Sequence, residues 1–127
     1  MKINVNCNSD REFIRKYITL TRSLDSDPPT PSEIELIIEF LLLPPKFEYQ
    51  RFSIAAKRKV IQNYPNISNI PNINNKLHSL LKKKFLTKDE DKVIYLPKDL
   101  QVALRKFRED KQLIGNINFN GSNKVDN

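Results

Sequence analysis

Two proline pairs, Pro28–Pro29 and Pro44–Pro45, bracket the most apolar stretch of the chain and limit where its central helix can begin and end. Proline lacks the N–H that a helix interior needs and disfavours helical geometry in the residue before it. Directly after the first pair, Thr30 is placed as an N-cap, Pro31 takes the first helical position, and Glu33 completes a capping box. Ile34, Ile37, Ile38, Leu41 and Leu42 then recur at helical spacing. Past Glu39 this helix is apolar on most sides, so the pattern predicts it to be the most buried element, stopped by Pro44 and Pro45.

Shorter elements flank it. Residues 2 to 7 alternate so that Ile3, Val5 and Cys7 share one face, which predicts a short strand. Ser9 and Glu12 form a capping box for a first helix over about Asp10 to Ser23, with Phe13, Ile14, Tyr17, Ile18 and Leu24 at helical spacing. Asp25 to Pro29 reads as a semi-rigid connector. Ser53 can cap a helix from Ile54 to about Tyr64, its inward face Ile54, Val60, Ile61 and Tyr64, with Lys57, Arg58 and Lys59 largely outside.

Pro65 to Ser68 then predicts a tight turn into a fourth helix, over about Ser68 to Lys84. Ile70, Ile73, Leu77, Leu80 and Leu81 fall in one stripe roughly 100° wide. The opposite face carries Asn72, Asn75, Lys76, Ser79, Lys82 and Lys83, with His78 at its margin. Asparagine can make a paired contact to an adenine edge in the major groove, while lysine neutralises phosphate without reading sequence. A solvated face in a chain rich in Lys and Asn reads the same residues more plainly. Phe85 to Thr87 and Val93 to Leu96 predict two short strands around the charged turn Lys88 to Lys92. Pro97 starts a last helix to about residue 114, with Leu100, Ala103, Leu104 and Phe107 inward. That helix either closes the core over the N-terminal elements or pairs with a second copy. Residues 115–127 form a polar tail, disordered alone, in which Ile117 and Phe119 could add a strand to a neighbouring sheet edge.

Helix, helix, tight turn, helix and hairpin over residues 30–97 resemble the winged-helix family, and the run Leu77 to Leu86 resembles the phrase "Leu-x-x-Leu-x-x-Lys-Gly-Phe-Leu" of its compact regulators. The fold class expected is therefore mainly α with a small β hairpin: a winged helix-turn-helix core at 30–97, a strand, helix and connector at 1–29, a helix at 98–114 and the tail. The resemblance implies that the fourth helix enters the major groove and the wing lies beside a phosphate strand or minor groove. Lys84 stands where the family usually has Gly with positive φ, so the helix is expected to end differently. Asp89, Glu90 and Asp91 would repel phosphate, so the wing is expected to turn away or to meet a basic protein surface. Small size and the abundance of Lys, Asn and Ile resemble winged-helix proteins of tailed, including crAss-like, bacteriophages.

The formal charge is +7, and it is unevenly spread: residues 46–84 hold nine basic residues and one acidic. Such a concentration is the footprint expected on nucleic acid, although an acidic protein would select it too. One His and one Cys leave almost no material for a nucleophile and base pair or a metal cluster, and no glycine-rich phosphate loop occurs. No enzyme activity, cofactor or metal is expected. With no leader-like or membrane-spanning stretch read in the sequence, the protein is expected in the cytoplasm of a host cell or in a virion. Two readings follow. One is a DNA-binding regulator with Asn72, Asn75, Lys76, Ser79, Lys82 and Lys83 at the groove and Lys57, Arg58 and Lys59 on phosphates. The other is a virion structural or adaptor protein that binds other virion proteins through the same fold and docks by its tail.

Overall fold

Side-chain caps set four helix starts. Ser9, Thr30, Ser53 and Asn69 each accept the N–H three residues on with a side-chain oxygen, at 2.9 to 3.2 Å, satisfying donors that a helix start leaves without a partner. The resulting helices are α1 (Asp10–Thr21), α2 (Pro31–Leu41), α3 (Ile54–Asn63) and α4 (Ile70–Lys82). The computed structural model describes residues 7–64 and 69–124, the side chains of Tyr49 and of 112–124 excepted. The expected strand at 2 to 7, apart from Cys7, and the turn Pro65 to Ser68 therefore lie outside the described residues. A two-stranded antiparallel hairpin, β1 (Thr87–Lys88) and β2 (Ile94–Tyr95), follows α4, with Thr87 opposite Tyr95 and Lys88 opposite Ile94. The helix α5 (Lys98–Lys124) completes a mainly helical fold with one small hairpin.

The proline-bracketed segment is the centre of the core. The α2 side chains of Leu36, Ile37, Ile38 and Phe40 are fully buried, among Ile14 and Ile18 of α1, Val60 of α3, Ile73 and Leu80 of α4, and Leu100 of α5. Each such burial contributes about 1.5–3 kcal/mol. α2, α3 and α4 pack on one another pairwise, and α1 packs on both α2 and α5. The capping box of α2 is complete: Thr30 Oγ1 accepts the Glu33 N–H and Glu33 Oε1 accepts the Thr30 N–H.

α5 closes the core over α1. Phe107 stacks on Phe13 at 4.4 Å between ring centroids, and Asp99 accepts hydrogen bonds from Arg22 (2.9 and 3.0 Å) and from the Tyr17 hydroxyl (3.0 Å). Arg108 donates to Asp10 at 2.8 Å. The inward residues Leu100, Ala103, Leu104 and Phe107 are thus covered within the chain.

Several local expectations change. Leu24 follows the end of α1 and is 97% exposed. Ile54 is 50% exposed, and Ala56 takes the inward position with Val60. Pro45–Gln50 forms a 3₁₀ helix that the sequence pattern did not announce, since a six-residue run has too few turns to show a period. The helical backbone of α5 continues to Lys124, through most of the segment read as a polar tail and through the alternation at 116–120 read as a strand. No proline interrupts residues 98–124, and Gly115 and Gly121 each weaken a helix by only about 1 kcal/mol.

The α4 terminus corrects a further expectation. Lys84 adopts φ 64°, the Lys84 N–H donates to Leu81 O and the Phe85 N–H donates to Leu80 O, both at 3.0 Å. These two bonds are a Schellman motif, with Phe85 and Leu80 buried beside it. The helix therefore ends in the left-handed geometry that glycine favours, with a lysine held in it by the packing of Phe85 and Leu86.

Candidate nucleic-acid interface

α4 presents its polar side chains on two distinct surfaces. With Ile73, Leu77 and Leu80 buried, the side chains of Asn72, Asn74, Asn75, His78 and Lys82 are exposed. Asn75, His78 and Lys82 lie almost opposite the core, one to two turns apart, so they form a single outward row. Asn72 and the half-buried Lys76 and Ser79 lie on the flank toward α2.

That flank is bonded to the helical body. Lys83 Nζ lies 2.7 Å from Glu33 Oε1 and 3.2 Å from Pro28 O, and its side chain is only 10% exposed. Lys83 therefore leaves the groove-facing set: it neutralises a buried carboxylate, since Glu33 is 5% exposed. Burial alone would push the Glu33 carboxyl up, but hydrogen bonds from Lys83, Ser79 and the Thr30 N–H hold it below its ordinary value. Ser79 shares this carboxylate and belongs with Lys83.

On the other flank Lys57 Nζ donates to Asn74 Oδ1 at 2.6 Å, joining α3 to α4. Partial burial holds the Lys57 ammonium below its usual value. Arg58 is exposed and Lys59 half-buried on α3. Of the residues singled out from sequence, Asn72, Asn75, Lys76, Lys82, Lys57, Arg58 and Lys59 remain at the surface of α3 and α4, whereas Lys83 and Ser79 turn to Glu33. Ile117 and Phe119 lie outside the residues whose side chains are described. Asn74 was missed because only tertiary packing shows the bond to Lys57. His78 was visible at the margin of the helical wheel, and Lys88 was read only as part of the turn.

Charge pairing separates two halves of the molecule. Every carboxylate of α2 is matched internally: Glu33 by Lys83, Glu35 by Arg15 at 2.7 Å, and Glu39 by Arg11 at 2.7 Å. Between Glu48 and Asp89 the sequence contains no Asp or Glu. Among the described residues Arg58, Lys59, Lys76, Lys82, Lys84 and Lys88 form no ion pair. Lys98, Arg105 and Lys106 of α5 also form no ion pair among the described residues, but the longest carboxylate-free stretch of positive surface charge runs over α3, α4 and the hairpin stem. A groove of about 480 Å³ between α4 and β1, lined by His78, Leu81, Lys82, Leu86, Thr87 and Lys88, continues that surface.

The acidic hairpin tip has a local cause. Asp89 Oδ1 accepts the N–H groups of Asp91 and Val93, and Oδ2 accepts the Tyr95 hydroxyl, all at 2.9 Å. Lys92 N–H donates to Asp89 O, Lys92 has φ 64°, and Asp89 N–H donates to Val93 O. This is a three-residue loop, a turn followed by a left-handed bulge residue. Bonds from the Val93 N–H, the Tyr95 hydroxyl and the Asp91 N–H hold the Asp89 carboxyl below its ordinary range. Glu90 and Asp91 are exposed.

Among the described residues no three His, Cys, Asp or Glu side chains are grouped to hold a metal ion, and no helix is long and apolar enough to cross a membrane. No family model matches the chain, and neither a curated protein nor a solved structure does.

Proposed function

We propose that the chain is a non-catalytic winged-helix protein that binds double-stranded DNA, a regulator of the kind tailed bacteriophages encode. The observation that carries the reading is the row of exposed Asn75, His78 and Lys82 on a helix flanked by Arg58, Lys59, Lys76 and Lys88, which pair with no carboxylate among the described residues. α4 has 13 residues, about 20 Å at 1.5 Å per residue, enough to lie along a major groove. In this reading Asn75 and Asn72 meet base edges, Lys82 and Lys76 meet flanking phosphates, and Arg58, Lys59 and Lys88 meet the backbone on either side. The connectivity α2, α3, α4, hairpin supports the winged-helix assignment, with β1 and β2 as the wing.

Glu90 and Asp91 favour a second reading, an adaptor between virion proteins, in which the hairpin tip meets a basic protein surface. An amide NMR titration of the full chain with a short duplex separates the two. The DNA reading expects shifts concentrated on residues 72–82 and 57–59; their absence at low salt would overturn it in favour of protein contacts.

A further inference from the structure

A second opening lies away from α4. A cleft of about 560 Å³ separates the 3₁₀ helix and the start of α3 from β2 and the start of α5. Its walls include Phe52, Ile94 and Leu96, and Val93 and Tyr95 stand exposed at its edge. Three of its polar side chains are committed elsewhere: Ser53 Oγ caps α3, the Tyr95 hydroxyl donates to Asp89, and Gln101 Nε2 donates to Leu96 O. Glu48, Gln50 and Lys92 also line the cleft and are exposed.

Arg51 is the half-buried one among the rest. Among the described residues its guanidinium makes one hydrogen bond, Nη1 to Phe40 O at 3.2 Å, and no ion pair. A guanidinium carries five N–H donors and does not deprotonate, so four of them lack a protein acceptor in a partly desolvated place. Burial and the nearby positive charge of Arg108 both weigh against the cation, while the exposed Glu48 at the cleft rim helps it only through space. A planar acid supplies the missing partner, because carboxylate oxygens match the guanidinium fork and such pairs are strongest where water is excluded.

We propose that this cleft binds a small organic monoanion, a carboxylate on an aromatic or branched apolar body, with the carboxylate on Arg51 and the body against Phe52, Ile94 and Leu96. The volume falls in the range of small-molecule sites, which combine apolar walls with a few placed polar groups. One half-buried guanidinium with the Glu48 carboxylate at the rim suits a monoanion better than a doubly charged phosphate, since the other lining cation, Lys92, is exposed to solvent. No residue of α4 lines the cleft, so the site is independent of the DNA reading.

The test is a titration of the ¹⁵N-labelled full chain with benzoate, with its neutral counterpart benzamide, and with inorganic phosphate. Saturable benzoate shifts are expected at Arg51 to Ser53, Ile94 to Leu96 and Gln101, with affinity at least tenfold weaker for benzamide and for phosphate. Arg51→Gln should weaken benzoate binding tenfold or more. Val93→Asp leaves the Arg51 bond to Phe40 untouched and places a carboxylate at the mouth, so it should weaken binding severalfold even if Arg51→Gln fails to fold. Equal binding of benzoate and benzamide, shifts elsewhere, or undiminished binding by Val93→Asp would overturn the proposal.

Discussion

Lys83 and Glu33, fifty residues apart in sequence, meet at 2.7 Å, and this contact ties the C-cap of α4 to the first turn of α2. Both side chains are nearly buried, so the pair is balanced only while both partners are present. Lys82, its neighbour in sequence, is exposed and forms no ion pair among the described residues. Adjacent lysines therefore have different work.

Lys83→Met should cost about 3 kcal/mol, because it leaves a buried carboxylate without its cation. Lys82→Met should stay within about 0.5 kcal/mol, the usual range for an exposed substitution. Urea unfolding of the two variants checks this, and equal midpoints would show that the Glu33 contact does not hold α4.

The same pair sets an acid limit on stability. The Glu33 carboxyl is held below its ordinary value of 4.5, so the unfolded chain takes up the proton first. Its stabilising contribution is fully present above about pH 4.5 and is lost as pH falls through the lower folded-state value. Unfolding free energies measured from pH 6 to 3 should fall less steeply in Glu33→Gln than in the wild type.

Lys84→Gly should stabilise the fold by about 1 kcal/mol. A β-carbon in left-handed geometry costs about 1–2 kcal/mol, and the greater freedom of glycine in the unfolded chain returns part of that. Thermal unfolding reads the gain directly; a lowered midpoint would mean that the lysine side chain makes a contact worth more than its backbone strain.

Asp89→Ala should loosen the hairpin tip without unfolding the helices. The N–H groups of Asp91 and Val93 would lose their carboxylate acceptor, so their hydrogen exchange should quicken while that of Ile37 and Ile38 stays unchanged. Uniform acceleration across the chain would instead make the loop part of the core's cooperative unit.

Signals that act over three or four residues were legible in the sequence. The caps at Ser9, Thr30 and Ser53, the proline stops, and the α4 stripe of Ile73, Leu77 and Leu80 each depend on local spacing, and each appears in the structure. Burial on the opposite face of α4 was not legible. A helical wheel cannot show that Glu33 approaches from α2, so Lys83 and Ser79 looked equivalent to Lys82 and Asn75. For the same reason Asn74 was passed over, since its bond to Lys57 spans two helices. The left-handed Lys84 was read as an obstacle because propensity favours glycine there; packing of Phe85 overrode that preference.

The claim that α4 faces DNA is tested most directly by fluorescence anisotropy of a labelled short duplex across a salt series, comparing the wild type with Lys82→Ala and Asn75→Ala. Binding should weaken linearly in log–log form as salt rises, with the slope reduced by about one in Lys82→Ala, while Asn75→Ala should bind but lose discrimination between duplexes. No binding at low salt, or identical curves for the wild type and both variants, would contradict the account and turn attention to protein partners of the same face.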